Sequence, residues 1–181
     1  MEYMNKRGRF AGFTIVELLI VIVVIAILVA ITIVAFNGIQ TRAQNSKIRS
    51  DLAMFSKAIQ AARVSSGEVA TRYVTGSTGT AGACVSLASD VDMSDKVAAA
   101  TCWTAYNNAL NAISDASNMN IRNLADPWGR PYFLDENEKE GATFCGNSRD
   151  VLGAYPQPRT QSSWSQMSGT TTLVPYITAG C

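Results

Sequence analysis

Histidine is absent from the 181-residue chain, and its absence excludes histidine-based triads, histidine-containing zinc sites and imidazole general bases. Serine and threonine are plentiful, but none has a patterned Lys or Asp partner that would make it a nucleophile, so no catalytic site, metal or cofactor is expected. Charge is scarce as well: charged residues are 16% of the chain and the formal balance is +1. So small and scattered an excess cannot build the basic face that nucleic-acid phosphates require. There is no proline before Pro127 and no cysteine before Cys84. The stretch Phe13 to Phe36 is poorer still in polar chemistry, because Glu17 is its only ionisable residue.

That stretch, FTIVELLIVIVVIAILVAITIVAF, would rise as a helix through about 36 Å, enough to cross a bilayer. It is longer than the apolar core of a secretory signal, which is about 7 to 15 residues, so it is expected to persist in the mature protein. Val and Ile on every face leave no polar side for water, which argues against a core helix of a soluble domain. Lys6, Arg7 and Arg9 precede the run and Arg42, Lys47 and Arg49 follow it. The leading charges lie closer to the apolar edge, which places the N-terminus in the cytoplasm.

Beyond Phe36 the pattern changes. Ile48, Leu52, Phe55, Ile59 and Ala62 recur at steps of four, three, four and three, while Arg49, Asp51, Lys57 and Arg63 fall elsewhere. This is an amphipathic helix packed on the core of its own domain. Together the two halves predict one helix from about Phe13 to Ser65, ended at SSGE and followed by a loop, GSTGTAGAC. Asn37-Gly38 is its weak point, since Gly costs about 1 kcal/mol relative to Ala in a helix. Residues 94–116 predict one or two short helices with Val97, Leu110 and Ile113 buried. DPWGRPYFL supplies turn chemistry and then a strand, and DVLGAY and TTTLVPYITA are further strands, with Pro175 marking an edge or bulge. DENEKE, Asp135 to Glu140, lacks the ligand spacing of a calcium loop and is read as a solvated connection. Trp103, Trp128 and Trp164 are assigned to the core.

Cys84, Cys102, Cys145 and Cys181 contain no CxxC pair and all lie beyond the apolar run. Four cysteines allow three pairings. Joining Cys84 to Cys102 and Cys145 to Cys181 closes two modest loops and pins the chain end, each worth roughly 3 to 4 kcal/mol on a chain-entropy estimate. Oxidised cysteines imply an extracytoplasmic domain.

A carboxylate within a bilayer is costly, and such a group is a functional hypothesis that needs a partner. No Lys or Arg lies inside the run. The stretch from Gly12 onward, G-FTIVELLIVIVVIAILVA, resembles the N-terminus of type IV pilins and of the pseudopilins of type II secretion. The resemblance implies an α+β pilin fold, a long N-terminal apolar helix packed on a small antiparallel β-sheet head. It also implies cleavage between Gly12 and Phe13 by a membrane-embedded prepilin peptidase, with N-methylation of Phe13. In that family the glutamate equivalent to Glu17 pairs with the N-terminal amine of a neighbouring subunit, so the partner would be created by processing. The implied organisation is a leader at 1–12, a membrane and filament-core helix at 13–36, its amphipathic half at 37–65 and an extracellular head at 66–181. Expected partners are other copies joined through the N-terminal helices, the peptidase, an assembly platform in the inner or cytoplasmic membrane, and lipid before assembly. One departure is the missing helix-kinking proline near Val34, for which Asn37-Gly38 is a substitute. Asp-Pro-Trp-Gly stretches like Asp126–Gly129 also occur in pseudopilins and in pilins of Gram-positive type.

Overall fold

The computed structural model describes residues 12–68, 70–77, 80–136, 149–156 and 171–175. The elements in chain order are helices α1 (Ile15–Ser66), α2 (Thr71–Thr75), α3 (Thr80–Val85) and α4 (Ala100–Ser117), then strands β1 (Phe133–Asp135), β2 (Arg149–Gly153) and β3 (Thr171–Pro175). A long apolar helix followed by short helices and a small antiparallel sheet is the α+β architecture expected of a pilin. The chain divides into two units, Met1–Ala43 and Gln44–Cys181.

In the first unit α1 turns no face inward. The large apolar side chains from Ile15 to Ile33 are each at least 48% exposed, although water is a poor solvent for all of them. The helix carries the length and composition needed to cross a membrane. It is helical through Asn37 and Gly38 in the subunit.

In the second unit the amphipathic stripe packs as its period predicts. Leu52, Phe55, Ile59 and Ala62 are buried together with Ile48. They meet α4 through Tyr106, Leu110 and Ile113 and the sheet through Leu134, Leu152 and Val174. Phe55 and Trp103 both meet Tyr106 edge to face, at ring separations of 6.4 and 6.0 Å, the arrangement that the ring quadrupoles favour. α1 stops at Gly67, whose φ of 76° is open to glycine at little cost. The Glu68 amide reaches back to the Arg63 carbonyl at 3.0 Å, closing the turn as in a Schellman motif.

Strands β1, β2 and β3 pair in that order, all antiparallel, with Leu134 opposite Leu152 and Asp150 opposite Val174. Pro175 ends the edge strand β3, where a missing N–H is tolerated. The turn before β1 is held by Asp126, whose Oδ1 accepts from the amides of Trp128 and Arg130 at 2.9 Å. Gly129, at φ 76°, lets the chain reverse there. Arg130 returns to Asp126 Oδ2 and donates to the carbonyls of Tyr155 and Pro156, tying the turn to the exit of β2. Tyr132 donates to Asp51 at 2.6 Å, and Lys47 bonds both Asp51 and the Ala125 carbonyl.

Several expectations are corrected. Arg63, expected on the polar side of α1, is fully buried; it pairs with Asp150 of β2 and bonds Thr71 of α2. Thr71 donates to the same carboxylate, so the ion pair is solvated by protein rather than by water. Val97, expected in the core, is 86% exposed, because α4 begins at Ala100 and the Asp95 turn precedes it. The expected loop GSTGTAGAC is entered by a short helix, α3, and a second short helix, α2, lies between SSGE and that loop. Residues 94–116 yield one helix, α4, capped by Asn118 in the left-handed region at φ 56°. Asp135 and Glu136 are buried, not solvated, while residues 137–140 lie outside the described residues. Trp103 is buried, Trp128 is 37% exposed beside the Arg130 guanidinium, and Trp164 lies outside the described residues.

Candidate functional site

The amino end of α1 brings together Gly12, Phe13, Thr14 and Glu17. Thr14 stands just before the first helical residue, and Glu17 three residues on, which is the spacing of a capping box. The Thr14 amide and hydroxyl both donate to Glu17 Oε2 at 2.8 Å. The Glu17 amide donates in return to Thr14 Oγ1 at 3.2 Å. Two backbone donors that an α-helix leaves unpaired at its start are thereby satisfied. Both bonds to the carboxylate fall on Oε2, and Oε1 has no hydrogen bond among the described residues.

The carboxylate is thus not stranded within its own chain. Sequence reasoning missed this first partner, although Thr-x-x-Glu ahead of an apolar run is the signal for it. Around the box Phe13 and Ile15 are exposed at 88% and 85%, so the site is one charge on an apolar rod with an open oxygen.

Gly12 immediately precedes this arrangement. A Cβ added there would meet nothing within 4 Å, and its φ is outside the left-handed region. Among the described residues neither crowding nor backbone strain calls for glycine at that position.

Of the other singled-out residues, Cys84 of α3 and Cys102 of α4 are at disulfide distance, with Cα atoms 4.4 Å apart. Cys145 and Cys181 lie outside the described residues, and so does the leader before Gly12. Among the described residues no three His, Cys, Asp or Glu side chains gather as metal ligands would.

A family described as the prokaryotic N-terminal methylation motif matches residues 7–33. No curated protein and no solved structure matches the chain. The match covers the basic residues Arg7 and Arg9, the Gly12-Phe13 junction, the capping box and most of the exposed apolar helix. Residues 7–33 are therefore the class III prepilin signal of type IV pilins and pseudopilins, and the motif supports a type IV pilin-like or pseudopilin protein.

Proposed function

We propose that this chain is a structural subunit of a type IV pilus. Residues 13–36 insert it as a single-pass membrane protein with its N-terminus in the cytoplasm. Prepilin peptidase cuts between Gly12 and Phe13, Phe13 is N-methylated, and an assembly platform in the membrane packs the helices of successive copies into an extracellular fibre. The role is mechanical. The observation that carries this reading is the amino end of α1: an apolar helix exposed on every side, bearing one carboxylate with an open Oε1.

The chemistry follows from those parts. Cutting releases an α-amino group with a free pKa of about 7.7 to 8.0, mostly protonated at neutral pH. A charge left unpaired in an apolar bundle costs several kcal/mol. Among the ways two copies could slide along each other, a stagger that sets the amine of one against the Oε1 of the next avoids that cost. Oε2 keeps its cap on Thr14 meanwhile, so the pair forms without uncapping the helix. Removing Met1 to Gly12 takes away Lys6, Arg7 and Arg9 against Glu2, a net +2, and leaves the chain at −1 from +1. That loss releases the N-terminus from the cytoplasmic face. Glycine at the cut is explained by the fit of a bare backbone in the peptidase, since nothing among the described residues requires it.

The second reading is a pseudopilin, whose short fibre serves type II secretion or DNA uptake. The Asp126–Gly129 turn, built on an Asp-Pro-Trp-Gly stretch that occurs in both groups, is compatible with it.

The experiment is a mass spectrum of the mature protein together with a Glu17→Gln variant. Processing gives an N-terminus at N-methylated Phe13, and Glu17→Gln inserts normally, because a lost charge eases insertion, yet yields few or no fibres. An intact Met1 in the mature membrane protein, or abundant fibres from Glu17→Gln, contradicts the assignment.

A further inference from the structure

Five large apolar side chains of the second unit are exposed among the described residues: Met54, Val64, Tyr73, Val97 and Trp128. Tyr73 lies under the Arg72 guanidinium at 4.7 Å and Trp128 beside that of Arg130 at 5.2 Å. Val97, at 86% exposed, is the most open of the five, and its backbone is not loose. Asp95 Oδ1 accepts from the amides of Val97 and Ala98 at 2.8 and 3.2 Å, and the Ala99 amide bonds the Asp95 carbonyl at 2.9 Å. The turn therefore presents Val97 in a fixed position. The segment around it is rich in acids: Asp90, Asp92 and Asp95 are exposed against one cation, Lys96, whose Nζ stands over the Trp103 ring at 4.9 Å, and the bonds that Asp92 and Asp95 make are to their own turns.

The outer face of α1 offers the converse. Ala53 and Met54 form a small exposed apolar spot, with Arg49 one turn before and Lys57 one turn after it. Both cations are exposed, and neither has an ion-pair partner among the described residues. An apolar knob on an acid-rich segment and an apolar spot flanked by cations are complementary in sign.

We propose that these two surfaces meet between copies of the chain, with Val97 of one copy seated on Ala53 and Met54 of the next, and Asp95 and Asp92 facing Lys57 and Arg49. The occupant is a second copy because the same chain carries both halves on different surfaces. A contact between unlike surfaces repeats head to tail and need not close, as a polymer requires. The charges select register and exclude mismatched neighbours more than they add affinity. The inference rests on the proposed polymer and adds a head contact to the one at Glu17.

The test uses full-length chain assembled into fibres. An Ala53→Cys, Val97→Cys double variant is expected to give a ladder of disulfide-linked subunits on mild oxidation, with neither single variant doing so. Lys57→Asp and Asp95→Lys are each expected to cut fibre yield roughly tenfold by setting like charges together, with cleavage at Gly12 unchanged, and their combination to restore it. No ladder, with fibres at normal yield from both reversals, overturns the contact and leaves the polymer standing. Loss of membrane retention from Lys57→Asp without a ladder assigns the face to lipid headgroups and also overturns it. Absence of fibres from the unaltered chain removes the polymer itself, and this contact with it.

Discussion

Glu136 makes the head sensitive to pH in a direction opposite to most carboxylates. It sits at the end of β1 with its side chain buried and accepts a hydrogen bond from Thr80, the first residue of α3. Among the described residues its Oε2 has no hydrogen-bond partner. Burial pushes the carboxyl up to about 7, the bond from Thr80 opposes that, and the neighbouring Asp135 adds to it. The folded head therefore holds this proton more tightly than the unfolded chain, where the value is near 4.5. Stability is greatest below the unfolded value and declines as pH rises between 4.5 and 7, after which both states are ionised and the loss is complete. The difference corresponds to about 3 kcal/mol at full extent. With no histidine in the chain, no side chain at its ordinary pKa changes charge between pH 5 and 8. Urea unfolding of the full chain in detergent, followed by tryptophan fluorescence at pH 5, 6, 7 and 8, should show the midpoint falling from pH 5 to 7 and levelling off towards pH 8. Glu136→Gln keeps an acceptor for Thr80 and should remove the slope. A wild-type midpoint that is level from pH 5 to 8, or a Glu136→Gln slope equal to that of wild type, refutes the reasoning.

Further outcomes follow from other buried groups. Arg63→Met leaves Asp150 charged and buried, and should lower head stability by about 3 to 5 kcal/mol in the same unfolding assay; a loss under 1 kcal/mol would show that the pair is not sealed from water. Cys84→Ala with Cys102→Ala frees an 18-residue separation between α3 and α4 and should cost about 3 kcal/mol, with reductant producing the same shift in the unaltered head. Unchanged midpoints in both cases would contradict that staple.

The parts of this fold legible in the sequence are those fixed by local periodicity or local chemistry. The stripe Ile48, Leu52, Phe55, Ile59 and Ala62 announces its burial because a helix repeats every 3.6 residues, and all five are buried. The turn at Asp126 is equally local, since its bonds reach only as far as Arg130. The capping box at Thr14 and Glu17 is equally local, a Thr-x-x-Glu spacing ahead of an apolar run, but a carboxylate in such a run points first to a cation and only second to a hydroxyl three residues away. Arg63 was not legible: a guanidinium is buried only where a partner waits, and Asp150 lies 87 residues further on. The same holds for α2 and α3, which at five and six residues are too short to be stable alone and depend on packing against α4 and on Cys84–Cys102. Val97 misled because an apolar residue at helical spacing was counted with α4, whereas the helix starts three residues later.

The most direct test of the account is a high-resolution reconstruction of the assembled fibre. It should place the Phe13 amine of one subunit within about 4 Å of the Glu17 carboxylate of a neighbour, the reach of an ion pair, with Thr14 still capping the same helix. A fibre in which every such amine lies well beyond that reach, and Glu17 touches only its own Thr14, would contradict it.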